Sequence, residues 1–361
     1  MFIFIALVSL LLLIVVHELG HFALAKKFRV KVEEFGIGIP PRVLGKKLGE
    51  TMYSFNLLPV GAFVRLEGEE KEVESERSFS RKPIWQRALI VVGGVVAGWL
   101  AAFFLFGVTG AVWGIPVAIP DDFEANIQDP KVQIIGIVQN SPAQDAGLQL
   151  GDIIVQVQAE DQESVEIRKV TQVQEFTQSA KGNEIVLSVL RGGELVEIPV
   201  IPRLEPPSGE GPIGIALART ALMRYPWYEA PFQGVIITGR VSWEILRGLG
   251  DIGSHIFSGK GVPPGVELMG PVGVFDTLRN SLTVGAGHFI YFVALISVYL
   301  AIFNTLPLPV LDGGKLLFLG IEAFRKKPLP RHIEQNVSAV FVALLISLMI
   351  WVTIGDLRRI F

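Results

Sequence analysis

The 361-residue chain contains no cysteine. That excludes disulfides and thiolate metal centres, so any transition metal must be held by nitrogen and oxygen donors, and thiols give no sign of redox compartment. Charge is also scarce: Asp, Glu, Lys and Arg make up 19% of the chain, against about 25% in globular domains. There is no basic surplus either. A net charge of −3 argues against a nucleic-acid partner, whose phosphates call for a clear excess of Lys and Arg. Hydrocarbon takes the place of charge: half of the residues are hydrophobic and the mean hydropathy is +0.48, too apolar for an ordinary soluble protein.

The apolar residues are concentrated in runs. Residues 1–16 form one, which continues through His17-Glu18-Leu19-Gly20-His21 to residue 25. Residues 88–113 form a second. Residues 289–303, extended back through a small-residue stretch to 282, form a third, and residues 332–354 a fourth. A membrane span needs about 20 mostly apolar residues, so the chain reads as a polytopic α-helical membrane protein with four transmembrane helices, at about 2–26, 88–113, 282–304 and 334–355. The first run could be mistaken for a secretory signal, but no positive region precedes it and no small-residue cleavage site follows it.

Lys and Arg near the helix ends set the orientation. Lys26, Lys27, Arg29, Lys31, Arg42, Lys46 and Lys47 follow the first run. Arg81, Lys82 and Arg87 precede the second, and Arg325, Lys326, Lys327 and Arg331 precede the fourth. These loops are expected in the cytoplasm and the long segment 114–281 on the opposite side. Arg358 and Arg359 weigh against this orientation.

Within the long segment, residues 132–204 read as an inserted domain. Strands are expected at 132–138, 152–158, 184–191 and 195–200, the last two joined by Gly192-Gly193 as a tight hairpin, with a short helix at 172–178. Between the first two strands, Asn140-Ser-Pro-Ala-Gln-Asp-Ala-Gly-Leu-Gln-Leu-Gly-Asp152 resembles the core signature of PDZ domains. PDZ domains accept extended peptides by strand addition, and the sequence leaves peptide binding by this one open. A domain placed here could also act as a size filter over the membrane part. Residues 228–259 carry apolar side chains at near-helical spacing among charges, as in an amphipathic helix lying on a membrane surface or packed on the inserted domain.

The chemistry is carried by His-Glu-x-x-His. Positions i and i+4 share a helix face, so His17 and His21 can hold one zinc ion, and Glu18 beside them is placed to take a proton from water. Ionisable groups are costly inside a hydrophobic helix and mark function there. A catalytic zinc site has three protein ligands. His17 lies roughly 24 Å along its helix from Met1 at 1.5 Å per residue, which puts the site in the cytoplasmic third of the membrane. His288 opens the third run at the far side and sits too high. Asp312, in Asn304-Thr-Leu-Pro-Leu-Pro-Val-Leu-Asp-Gly-Gly314, lies at the right depth. Prolines break the helix there, and irregular backbone at membrane depth persists only when buried or lining a cavity.

Taken together, His-Glu-Leu-Gly-His in the first run, Asn-x-x-Pro-x-Pro-x-Leu-Asp-Gly at 304–313 and Met269-Gly-Pro-Val-Gly273 resemble the bacterial site-2 intramembrane proteases, of the regulator-of-sigma-E-protease type. The resemblance covers essentially the whole chain. It implies an intramembrane zinc metalloprotease of the bacterial cytoplasmic (inner) membrane, with one PDZ domain on the outer side. His17, His21 and Asp312 match the family's zinc ligands, Glu18 its general base and Asn304 its substrate-positioning amide. It also implies that residues 52–66 form a membrane-reentrant β-hairpin whose edge receives unwound substrate. Substrates would be single-span transmembrane proteins, such as trimmed anti-sigma factors or remnant signal peptides. One departure stands out: where the family has Gly-Pro-x-x-Asn, this chain has Gly94-Val-Val-Ala-Gly98. Two other classes share parts of the pattern. A PDZ scaffold without catalysis would have no use for Glu18, and a metal transporter would show internal repeats, which are not seen.

Overall fold

A helix that is apolar all round must be surrounded by other apolar groups or by lipid. The first run forms such a helix, α1 (Phe2–Lys27), in the computed structural model, which describes residues 2–69, 73–123, 128–138, 140–159, 163–207, 209–261, 269–327 and 330–360. The chain then enters β1 (Val32–Leu48), reverses, and returns as β2 (Thr51–Leu66). Gly49 at the reversal has φ 63°, a left-handed conformation that glycine adopts without steric cost. The expected hairpin at 52–66 is therefore only the second arm of a longer one. Its first arm is hidden in the sequence because Pro40, Pro41 and several glycines interrupt the alternation that marks a strand.

The two strands are folded over, not flat. Residues 34–37 lie between 62–65 on one side and 52–55 on the other, while 42–48 pair with 51–56. Glu34 holds these segments together. It is 5% exposed and accepts hydrogen bonds from Ser54 Oγ (2.7 Å), Arg42 Nη2 (2.7 Å) and Arg65 Nη1 (3.1 Å). A buried carboxylate is tolerated only with such partners. Among the described residues, 62–66 are paired on one side alone. Ile39, Val43, Leu44, Phe55, Leu57 and Leu58 are exposed on this element.

A 3-10 turn, Phe79–Arg81, leads into α2 (Ile84–Val112), which packs on α1. The two helices touch backbone to backbone: a Cβ at Gly93 would lie 2.7 Å from the Gly20 carbonyl oxygen, and one at Gly20 would strike that of Gly93.

Beyond α2 the chain builds a sheet from β3 (Ile115–Ala118), β4 (Gln128–Ile137), β5 (Ile153–Ala159), β6 (Val165–Glu166), β7 (Ile185–Arg191), β8 (Glu194–Val200) and β9 (Ile215–Met223). The order is β3-β9-β4-β5-β7-β8, with β6 on β5. Two helices accompany it, α3 (Pro142–Asp145) and α4 (Val170–Ser179). Val132, Ile154, Val157, Ile185, Leu187 and Val189 fill its core. The Ser-Pro-Ala and Gly-Asp residues have local reasons to be there. Ser141 Oγ accepts from Gln144 N as the cap of α3, and Ala143 is fully buried. Asp152 accepts from Gln149 N (2.9 Å) and from Arg191 Nη2 (2.6 Å). The unit is larger than 132–204, because β9 inserts between β3 and β4 and the sheet spans 115–223. β9 pairs with strands distant in sequence, which local pattern cannot show.

Next comes α5 (Ala230–Phe257), which packs against α2 and α7 through Ile237 and Ile245. The backbones meet at Gly107, where a Cβ would lie 3.2 Å from the Ala230 carbonyl oxygen. Phe232, Trp243 and Phe257 point away from this contact and are exposed. The chain continues as α6 (Pro271–Val284), α7 (Ala286–Thr305), α8 (Asp312–Arg325) and α9 (Arg331–Ile360). Gly285, with φ 144°, separates α6 from α7, so the third span begins at 286 and not at 282. Among the described residues, α1, α2, α7 and α9 are the four helices long and apolar enough to cross a membrane.

Two polar ties close the bundle. Arg87 of α2 makes paired hydrogen bonds to Glu322 of α8, at 2.6 and 3.0 Å. Asp356, 3% exposed near the end of α9, accepts from Gly273 N (2.8 Å) and Gly270 N (3.2 Å) at the start of α6. That contact accounts for both glycines, since a Cβ at Gly270 would lie 2.7 Å from the carboxylate. Asp356→Ala should strand these amide donors and cost roughly 2–3 kcal/mol, read as a lower unfolding midpoint of the purified chain. An unchanged midpoint would mean the contact carries no stability.

Candidate metal centre and active site

Helix geometry sets His17 and His21 one turn apart on α1. Their Nε2 atoms are 3.2 Å apart. Asp312, the first residue of α8, brings Oδ2 to 3.0 Å from His17 Nε2 and 3.2 Å from His21 Nε2. These side chains are 13%, 12% and 11% exposed. The loop that delivers Asp312 doubles back tightly, and Gly313 and Gly314 permit it. A Cβ on Gly313 would strike the carbonyl oxygens of Thr305 and Leu306, and one on Gly314 that of Leu308.

The arrangement fits a cation. His21 Nδ1 lies 2.9 Å from the Ile90 carbonyl oxygen, which can only accept, so the proton of a neutral imidazole is on Nδ1 and Nε2 presents a lone pair. Asp312 Oδ2 is buried and receives no hydrogen bond. His21 Nε2 and Asp312 Oδ2 thus bring two lone-pair-bearing atoms to 3.2 Å from each other, where they would repel with nothing between them. Zinc–nitrogen and zinc–oxygen bonds of about 2.0–2.2 Å in a tetrahedron place ligand atoms about 3.3 Å apart, close to the observed separations. The Ile90 carbonyl is the kind of outer partner that orients a metal-ligating histidine. Among the described residues, His17, His21 and Asp312 are the group of metal-binding type that comes together.

Glu18 is not part of that group. It lines a cavity of about 170 Å³ together with His21, Asp312, Lys315, Glu69, Phe63, Val64 and Leu66. The singly paired strand 62–66 is therefore a wall of this cavity. The 52–55 half of the expected hairpin is paired on both sides and has no free edge to offer.

Asn304 lies near the end of α7, half-buried, with Nδ2 donating to the Leu300 carbonyl oxygen at 2.9 Å. It is not among the residues lining the cavity. His288 is in the first turn of α7, about 24 Å along that helix from Asn304 at 1.5 Å per residue, and does not join the metal group. Gly94 faces the imidazoles: a Cβ there would strike His21 Nε2 and lie 2.7 Å from His17 Nε2. Gly98 faces α7 instead. Its carbonyl accepts from Ser297 Oγ at 2.8 Å, and a Cβ would lie 3.3 Å from that of Ala301. Gly98 thus bears on the packing of α2 against α7 and stands apart from the metal cluster. Sequence reasoning missed Lys315 and Glu69. The spacing of Lys315, three residues after Asp312 on one helix, could have flagged it; nothing local flags Glu69.

With this geometry in view, residues 5–348 match the model of peptidase family M50. The chain belongs to peptidase family M50. A Clostridium perfringens protein named for zinc metalloprotease activity is 32% identical, covering 99% of this chain and 98% of its own length. The regulator of sigma-W protease RasP of Bacillus subtilis is 27% identical, covering 97% and 96%. The regulator of sigma E protease of Haemophilus influenzae is 26% identical, covering 98% of both. As a member of the family, the chain is a multi-pass membrane protein and a zinc metalloprotease of the intramembrane site-2 type.

Proposed function

We propose that the chain hydrolyses peptide bonds inside the transmembrane segments of single-span proteins, with zinc held by His17, His21 and Asp312 and with Glu18 as general base. The observation that carries this reading is the convergence of unsatisfied lone pairs beside a carboxylate, in a cavity walled by an unpaired strand edge. Zinc supplies polarisation of the scissile carbonyl and a lowered pKa for the attacking water. Glu18 takes the proton from that water and returns it to the leaving amine nitrogen. A helical substrate hides its carbonyls in its own hydrogen bonds, so it must unwind locally to be cut. The edge at 62–66 can satisfy the freed backbone groups by strand addition. Asn304, whose Nδ2 is held by its own helix, has its side-chain oxygen to offer a substrate N–H.

In this reading the β1–β2 element dips into the membrane, in keeping with its exposed Ile39, Val43, Leu44, Phe55, Leu57 and Leu58. The sheet unit is a PDZ domain on the outer side of the bacterial cytoplasmic membrane, and the metal cluster lies nearer the cytoplasmic face. The basic residues after α1 and around α8 support that orientation. The names of the Bacillus and Haemophilus relatives favour trimmed regulators of sigma factors as substrates, with remnant signal peptides as a second source of single spans.

The reading is tested with the full chain in lipid vesicles and a single-span substrate. A zinc chelator should abolish cleavage, and added zinc should restore it, with the cut mapped by mass spectrometry inside the apolar segment. Cleavage that ignores the chelator, or falls in the substrate's aqueous tails, would overturn it.

A further inference from the structure

Lys315 Nζ donates to Glu69 Oε1 at 2.7 Å. The pair joins two walls of the catalytic cavity. Glu69 lies three residues beyond the end of the edge strand at Leu66, and its amide bonds back to the Leu66 carbonyl oxygen at 3.2 Å. Lys315 is one helical turn beyond Asp312 on α8. Both also line a second, larger space of about 740 Å³ that contains Arg81, Arg87 and Glu322, so the pair stands at the boundary between the catalytic cavity and a polar vestibule. Lys315 is the one cationic side chain lining the small cavity among the described residues.

We propose that Glu69 and Lys315 are positioning residues for the hydrolytic reaction: their ion pair clamps the end of the edge strand to α8 and so fixes the gap between a strand-bound substrate and Asp312. This rests on the roles given above to the 62–66 edge, Glu18 and Asp312. Both side chains of the pair are partly exposed, 46% for Lys315 and 23% for Glu69, and face the polar vestibule. The value of the pair lies in geometry. The edge strand and α8 come from opposite ends of the chain, and an error of about 1 Å in the approach of a reacting group to its catalyst costs rate steeply.

The test is a double-mutant cycle on the full chain in vesicles, with Glu69→Gln, Lys315→Met and the combination. Turnover of a single-span substrate, zinc content and unfolding midpoint are measured for each. Either single change should lower kcat about tenfold and move KM by less than about twofold, with zinc and midpoint unchanged. The combination should be no slower than the slower single variant, because one contact is lost in all three. Glu69→Asp, which keeps the charge and shortens the reach, should fall between wild type and Glu69→Gln. Wild-type turnover by Glu69→Gln would overturn the proposal. So would losses that multiply in the combination, a loss confined to Lys315→Met, or a fall in midpoint that accounts for the lost activity. Failure of the underlying reading would show separately, as wild-type cleavage that survives Glu18→Gln.

Discussion

Glu18→Gln should bring cleavage of a single-span substrate down by about a hundredfold to ten-thousandfold while zinc remains stoichiometric. Glutamine matches glutamate in size and can still accept a hydrogen bond, but its amide oxygen cannot take up and return a proton at neutral pH. The large expected effect follows from the absence of a substitute among the described residues. The other carboxylates lining the cavity are Asp312, whose Oδ2 is directed at the two imidazoles, and Glu69, which is held by Lys315. Zinc should stay because Glu18 stands outside the group formed by His17, His21 and Asp312. Metal analysis and turnover on the same preparation read both quantities. Wild-type turnover would remove Glu18 from the mechanism, and parallel loss of zinc would make it a ligand.

What the sequence revealed and what it hid divide along the range of the interactions. The His17–His21 pair was legible because i, i+4 spacing inside an apolar run is a local fact that needs no knowledge of the rest of the fold. The apolar runs placed α1, α2 and α9 for the same reason, and the glycine hairpin between β7 and β8 is likewise local. Asp312 needed one further step, an estimate of depth along two helices, because its partners are nearly 300 residues away in the chain. The first arm of the β1–β2 element escaped notice because its prolines and glycines suppress the alternation of a strand, and what holds it is the Glu34 hub, whose donors Arg42, Ser54 and Arg65 arrive from three separate segments. β9 was missed because its place in the sheet is set by pairing with β3 and β4 and not by any pattern of its own. The Arg87–Glu322 and Lys315–Glu69 pairs join charges that, read in sequence, are simply part of the basic and acidic residues flanking membrane spans.

Asp312→Ala should lose most of its zinc on dialysis, and with it the cleavage activity, whereas His288→Ala should keep both. A site with three protein ligands that loses one has only the two histidines to hold the ion, and neither the Ile90 carbonyl, which is engaged by His21 Nδ1, nor Glu18, which lies outside the cluster, stands ready to replace the carboxylate. The cost is greater than that of removing an outer partner, where losses of 10–100-fold in metal affinity are typical. His288 is the control with the stronger claim by chemistry, since histidine is the commonest metal ligand, and the weaker one by position, in the first turn of α7, at the opposite end of that helix from Asn304 and the loop that carries Asp312. Asp312→Asn separates charge from shape: the amide keeps a neutral oxygen for the ion but gives up the negative charge, so zinc binding should weaken less than in Asp312→Ala. Zinc is counted by elemental analysis on each purified variant, and the unfolding midpoint shows whether α8 still docks. If His288→Ala loses its zinc while Asp312→Ala retains it, the third ligand has been misassigned and the depth argument with it. If both retain zinc, neither Asp312 nor His288 is needed to hold the ion.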